Sequence, residues 1–339
     1  MQEILKGRHS ILQLANILPQ RGTKEVLFVT GQHLLQEGLF RQLQDALTIP
    51  CQFIQPPDGV LQTTAIPSFE TLDAVVAIGG GKVLDYAKGI IYQHKKPVFF
   101  VAVPTTAGSG SEATPIAVFY SGKEKVSLDA PQLLPALAVL DEGLLTHLPA
   151  AQRAISGADA LAQCIESAWN IHRTTLSESY AYAGLETLWN RLPGFVTNSD
   201  AGADEQVLWA AHLAGKAIAL TRTTGPHALS YYLTAHHGVP HGQAVALTLP
   251  LFFLYNREGA PEQLQKMAGV FRVESGEAAF MACRDFLKSL GLATTLAELG
   301  LSDLDIANWL ASVNQQRFAN NPVPFDSGKL KALFLRYLC

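Results

Sequence analysis

The stretch DAVVAIGGGKVLDYAKGI, residues 73–90, decides the fold. Its first part is continuously apolar and stops at Gly79, Gly80 and Gly81; the rest, running on to Gln93, spaces its apolar residues as one face of a helix. A strand that is apolar at every position is buried on both faces, as in a parallel sheet covered by helices. The neighbouring segments repeat the pattern. KEVLFVT (24–30) is a short β-branched run ending at Gly31, and LLQEGLFRQLQDAL (34–47) has helical spacing. CQFIQ (51–55) is a weak strand, and PVFFVAVPTT (97–106) is another continuous apolar one. AVFYSGKEKVSL (117–128) reads as a hairpin turning at Ser121-Gly122, and ALAVLDEGLL (136–145) as a last strand. After HLPAAQRA (147–154) apolar residues recur every three or four positions and strand signals become scarce. The boundary is therefore expected near residue 150, with an α/β domain at 1–150 and an all-helical domain at 151–339.

A chain of 339 residues has room for two domains, and 48% hydrophobic residues can fill two cores. The net charge of −4 gives no reason to expect a nucleic acid or an anionic membrane as partner. Cys51, Cys164, Cys283 and Cys339 form no CxxC pair and read as reduced thiols, as expected in the cytoplasm. MQEILKGRHS lacks the apolar core of a signal peptide, and no run is long and clean enough to span a bilayer.

Three glycines between a strand and a helix let a ligand approach the backbone without interference from Cβ atoms. The free N–H groups at the helix start attract an anion such as a pyrophosphate. A tight strand-to-helix turn would use the same glycines. A second loop, VPTTAGSGSEATP (103–115), crowds small hydroxyls at the end of the next strand, where Thr105, Thr106, Ser109 and Ser111 offer donors. Open α/β sheets bind ligands at that end, near a topological switch point. Two such loops on neighbouring strands point to a nucleotide.

Four of the ten histidines lie in HALSYYLTAHHGVPHG (227–242). Further back, in ISGADALAQCIESAW (155–169), Asp159 and Gln163 are four apart and share a helix face. Asp159, His227 and His241 would supply one carboxylate and two imidazoles, a set that suits a divalent first-row metal. Spacing alone also allows hydrogen-bonded core histidines. His236 and His237 are adjacent, cannot readily serve one small site, and read as a surface or partner pair.

Together GGGKVLDYAK (79–88), PTTAGSGSEAT (104–114), GADALAQCIE (157–166) and His227 followed by PHG (240–242) resemble, in order and spacing, the motifs of the iron-containing (group III) alcohol dehydrogenases. The resemblance implies a dehydroquinate synthase-like fold, with an N-terminal dinucleotide-binding domain, a helical C-terminal domain and a metal in the cleft between them. It implies Asp159, Gln163, His227 and His241 as ligands of a divalent metal, Fe²⁺ or Zn²⁺. It implies NADPH or NADH bound along Gly31, Gly79, Gly80, Gly81, Lys82 and Asp85, with Thr105, Thr106, Ser109, Ser111 and Lys125 beside them. The metal would polarise an aldehyde oxygen while the nicotinamide delivers hydride to the carbon. His241 and Tyr231 are the candidate catalytic residues, and a homodimer is the expected assembly.

The chain departs from the family pattern in three places. Gln163 stands where the family carries a metal-binding histidine, and an amide oxygen is the weaker ligand. Gly31 stands where an acid often meets the adenosine ribose, so the 2′-phosphate of NADPH meets no like charge and NADPH is expected beside NADH. Tyr231 replaces a second histidine, either relaying a proton or closing the pocket. The segments 159–186 and 214–250 are similar to the branch of the family that reduces phosphonoacetaldehyde to 2-hydroxyethylphosphonate in phosphonate biosynthesis. A phosphonate dianion calls for a cation. Arg222, among Thr221, Thr223 and Thr224, is the expected cradle, an ordinary ion pair its other reading, and Lys216, Arg173 and Arg317 the alternatives. Two competing functions remain: a general short-chain alcohol or aldehyde oxidoreductase, and a nucleotide-binding module without catalysis.

Overall fold

The computed structural model describes residues 2–31, 34, 38–94, 96–122 and 124–339. Residues 35–37 of the expected helix and Lys123 of the expected hairpin lie outside the described residues. The chain forms two compact units, Met1–Leu148 and Pro149–Cys339.

In the first unit the elements run β1 (Glu3–Lys6), α1 (Leu14–Gln20), β2 (Val26–Thr30), α2 (Gly38–Ala46), β3 (Cys51–Ile54), β4 (Ala74–Gly79), α3 (Gly81–Gln93), β5 (Phe99–Pro104), β6 (Ile116–Ser121), β7 (Glu124–Asp129) and β8 (Leu137–Leu140). Six strands make a parallel sheet in the order β1-β8-β5-β4-β2-β3. Strands β6 and β7 form a separate antiparallel hairpin, with Gly122 in the left-handed conformation at its turn.

The apolar runs divide by parity. Val26, Phe28, Val76, Ile78, Val101 and Val103 pack on one face with Leu14 and Leu18 of α1 and Phe40 and Leu43 of α2. Leu27, Val29, Val75, Ala77, Phe100 and Ala102 pack on the other with Leu84, Ile90 and Ile91 of α3. Each fully buried side chain of this size contributes about 1.5–3 kcal/mol, so both faces hold the sheet and a continuous apolar run is required. Strand β1 is only four residues with an exposed–intermediate burial pattern; its partner is the edge offered by β8.

From β2 the chain steps outward to β3, then returns to β4 on the other side of β2. The switch point therefore lies between β2 and β4, and their carboxyl ends carry Gly31 and Gly79–Gly81. Ligands of open α/β sheets bind at such a crevice.

The second unit is helical: α4 (Ala150–Trp169), α5 (Thr175–Thr197), α6 (Ala203–Thr221), α7 (Gly225–His237), α8 (His241–Thr248), α9 (Leu251–Tyr255), α10 (Pro261–Phe271), α11 (Gly276–Ser289), α12 (Ile306–Ala311), α13 (Gln315–Phe318) and α14 (Ser327–Tyr337). Helix α4 is its axis, packed by α5, α6 and α8 and buried over nearly its whole length from Arg153 onward. Its alanines, with Gly157, let the neighbours come close. Among the described residues no helix is long and apolar enough to cross a membrane.

Candidate metal centre

Three helices bring the site together. Helix α4 carries Asp159 and Gln163 on one face. His227 stands in the first turn of α7, and His241 is the first residue of α8. The turn between them follows from local chemistry: Gly238 ends α7 in a left-handed conformation, and Val239-Pro240 leads into α8. The chain thus doubles back and sets the two imidazoles 5.3 Å apart, ring centre to ring centre.

The ligand atoms of Asp159, His227 and His241 all lie within 4.8 Å of one another. His227 Nε2 is 3.2 Å from Asp159 Oδ1. Burial alone would raise the Asp159 carboxyl, but His227, His241 and Gln163 together hold it below its ordinary value. Burial alone would lower His227, yet Glu166 and Asp159 push it up to about 9. One carboxylate and two imidazoles converging in a buried space fit a first-row divalent ion. Gln163, one turn on from Asp159, hydrogen-bonds to it, and its Oε1 is buried with no donor on it among the described residues.

Tyr231 lies parallel to the His241 ring, centres 5.8 Å apart and planes within 6°. Ser230 Oγ donates to the His227 carbonyl at 2.8 Å and lies 3.4 Å from His241 Nδ1. The hydroxyl proton is committed to the carbonyl, so toward His241 the oxygen accepts from Nδ1–H. His236 and His237 are exposed at the end of α7, beside Tyr232 and away from this cluster.

Glu166 is the residue that sequence reading missed. It is completely buried, and its Oε2 contacts His227 Nδ1. The signal was present: Asp159, Gln163 and Glu166 fall at i, i+4 and i+7 on α4, one continuous face.

Two threonines of the expected anion cradle around Arg222 are engaged elsewhere. Thr224 Oγ1 and its backbone N–H donate to Glu166 at 2.8 and 2.7 Å. Thr221 Oγ1 turns to Ser167 and to main-chain carbonyls. These hydroxyls serve internal acceptors. Arg222 itself donates from Nη1 to Ala219 O on the last turn of α6. The arginine whose contacts lead to the cluster is Arg317, with its guanidinium carbon 5.5 Å from the centre of the Tyr231 ring.

In the first unit the strand ends hold Gly31, Gly79–Gly81, Lys82, Thr105, Thr106 and Ser109. The two loops close on each other: Thr105 N–H donates to Gly79 O at 3.1 Å, and a Cβ on Gly81 would come within 2.8 Å of Ser109 Oγ. Asp85 and Ser111, both expected at the cofactor, bond each other. Ser111 Oγ donates to Asp85 Oδ1 at 2.7 Å, and Val118 N–H donates to Oδ2 at 2.9 Å. Lys88, wholly buried, donates to Ser111 O and Oγ, Thr114 O and Oγ1, and Ile116 O. This clamp shapes the second loop from behind. Burial lifts the Asp85 carboxyl above its ordinary value, and the charge of Lys125 on β7 is among those pulling the other way.

Comparison with known proteins places both halves of the chain in one family. Residues 2–142 match the iron-containing alcohol dehydrogenase family, and residues 153–338 match the C-terminal part of the Fe-containing alcohol dehydrogenase family. The chain is 32% identical to the phosphonoacetaldehyde reductase of Streptomyces viridochromogenes over 287 residues, 75% of this chain and 73% of that one. It is 28% identical to the probable alcohol dehydrogenase EutG of Escherichia coli K12, over 90% of this chain and 85% of the relative. The crystal structure of sulfoacetaldehyde reductase from Bifidobacterium kashiwanohense in complex with NAD⁺ superposes with a TM-score of 0.87 at 26% identity, over 99% of this chain and 96% of that one. Matched in both its α/β and its helical half, this chain belongs to the iron-containing alcohol dehydrogenase family and is an oxidoreductase of alcohols and aldehydes.

Proposed function

We propose that this enzyme reduces a two-carbon aldehyde bearing a tetrahedral anion, phosphonoacetaldehyde foremost, to the corresponding alcohol, with hydride from NADPH or NADH. The observation that carries the reading is the convergence of Asp159, His227 and His241. NADPH or NADH, when bound, would supply the hydride that reduces the carbonyl carbon, and a proton from solvent would complete the alcohol. A divalent ion held by Asp159, His227 and His241, Fe²⁺ or Zn²⁺, would supply Lewis acidity at the carbonyl oxygen, with Gln163 as a fourth, weaker donor. Tyr231, stacked on His241, fixes the plane of that imidazole and walls the site. The glycine backbone at Gly79–Gly81 and the hydroxyls of Thr105, Thr106 and Ser109 offer donors to the dinucleotide phosphates.

The anionic substrate is supported by likeness to reductases named for phosphonoacetaldehyde and sulfoacetaldehyde, both two-carbon aldehydes with a tetrahedral anion. Arg317, beside Tyr231, is the better placed cation for the headgroup, and Arg222 the second. A general short-chain alcohol dehydrogenase is the competing reading, favoured by the longer match to EutG.

The test strips the protein of metal, restores Fe²⁺, Zn²⁺ or nothing, and follows NADPH oxidation with phosphonoacetaldehyde beside acetaldehyde. Metal-dependent turnover that strongly prefers the phosphonate is the expected result. Metal-dependent turnover without preference would leave the general dehydrogenase. Absence of turnover under every condition would leave a binding module.

A further inference from the structure

Glu166 is a buried carboxylate outside the proposed ligand set, and each of its oxygens has a separate task. Oε1 accepts from the Thr224 backbone N–H at 2.7 Å, from Thr224 Oγ1 at 2.8 Å and from the His227 backbone N–H at 3.4 Å. Thr224 is the N-cap of α7, and its own side chain makes no capping bond to that helix. The carboxylate of α4 therefore caps α7, where the helix dipole favours a negative charge. Oε2 contacts His227 Nδ1. The same side chain that registers α7 against α4 thus also sets the rotation of the imidazole.

We propose that Glu166 is the positioning residue for His227: it holds the proton on Nδ1 and leaves the Nε2 lone pair aimed at the space shared with Asp159 and His241. The proposal rests on the reading of that cluster as a metal site. Two physical reasons support it. A carboxylate can only accept, so the imidazole facing it presents Nδ1–H, and the proton that must leave for a metal to bind is the one on Nε2. The charges also close: Asp159 and Glu166 carry two negative charges, which balance a divalent cation in a site where unbalanced charge is costly. Metal-binding histidines commonly donate their second N–H in this way, and removing such a partner weakens metal binding about 10–100-fold.

The test uses Zn²⁺ alone as probe, measured by competition against a chromogenic chelator, on wild type, Glu166→Gln, Thr224→Val and Asp159→Asn. In Glu166→Gln the amide oxygen still accepts from Thr224, so the helix cap is kept, while the amide N–H group faces Nδ1 and forces the proton onto Nε2. Zn²⁺ affinity should fall about 10–100-fold. Thr224→Val disturbs the cap and leaves the carboxylate on Nδ1; it should melt lower yet bind Zn²⁺ within about threefold of wild type, the small change expected when His227 keeps its carboxylate partner. Wild-type affinity in Glu166→Gln, with Asp159→Asn impaired, would overturn the inference and leave the metal site standing. Equal binding by wild type and Asp159→Asn would overturn the metal site and the inference with it. Should Glu166→Gln fail to fold, ¹⁵N-histidine spectra of Zn²⁺-loaded wild type decide: Nδ1–H at His227 is expected, and Nε2–H would overturn the proposal.

Discussion

No side chain fits between Gly242 and the main-chain carbonyl oxygen of Ile155: a Cβ on Gly242 would run into that oxygen. The contact lets α8 lie directly on α4, and His241, one residue earlier, thereby reaches Asp159. Gly242→Ala must push the helices apart. Overpacking of this kind costs about 1–3 kcal/mol, and the displaced His241 should weaken Zn²⁺ binding about tenfold or more. Thermal melts and chelator competition read both effects, and a variant that matches wild type in each would break the link between this glycine and the site.

Asp159 is the only carboxylate among the three convergent ligands. Asp159→Asn keeps the shape and removes the charge. Turnover with any aldehyde should fall at least about 100-fold, and the metal-free protein should melt lower, because buried His227 loses a charged partner. Chelation of the wild-type metal should give the same loss, reversed by adding Fe²⁺ or Zn²⁺. Unaffected turnover after verified metal removal would rule out a metal role.

The headgroup cation is testable by comparison. Charge-assisted hydrogen bonds contribute about 1.5–3 kcal/mol, so Arg317→Ala should lower kcat/KM for phosphonoacetaldehyde about 10–100-fold and that for acetaldehyde far less. Arg222→Ala, whose Nη1 is engaged with Ala219 O, should have the smaller selective effect. A selective loss in Arg222→Ala alone would restore the assignment made from sequence; equal losses for both aldehydes would remove the anion subsite.

Gly31 follows β2 at the switch point, and a Cβ there would have no heavy atom of the described residues within 4 Å. Gly31→Asp should therefore fold normally and place a carboxylate where the adenosine ribose is expected. The 2′-phosphate of NADPH would then meet like charge. The kcat/KM ratio of NADPH to NADH should drop about tenfold or more, consistent with about 1.4 kcal/mol of repulsion. An unchanged ratio would show that the adenosine end does not pass this residue.

Burial pulls the Lys88 ammonium down to about 8, against the raising effects of Asp85 and Glu112. The unfolded lysine keeps its proton up to 10.5, so between about pH 8 and 10.5 the unfolded chain binds more protons than the folded one. Stability should rise with pH across that window, by up to about 3 kcal/mol from this group. Below pH 8 the group contributes no slope. Urea unfolding at pH 8, 9 and 10, with Lys88→Met lacking the rise, measures it. A wild-type stability that falls over the same range as steeply as the variant's would contradict the depressed value.

Much of the architecture was legible because burial on both faces leaves a continuous apolar run, and the runs at 24–30, 73–81 and 97–106 supply β2, β4 and β5 of the parallel sheet. Strand β1 was not, since four residues carry no periodicity and its pairing partner is more than a hundred residues away in β8. Asp159, His227 and His241 could be named from residue type and motif, because only a few side chains ligate metals. Which other groups touch them could not. Glu166 lies on the same face of α4 as Asp159 and Gln163, but spacing within one helix does not say that it meets His227. Ser111 was assigned by loop chemistry and Asp85 by the family resemblance, and neither showed that they bond each other beside the buried Lys88. Thr221 and Thr224 looked like free donors until internal acceptors claimed them. Residue chemistry and local periodicity determined which elements form and which atoms can ligate. Tertiary packing alone decided which donors remain open, because a buried hydrogen-bonding group takes whatever partner the fold brings within about 3 Å.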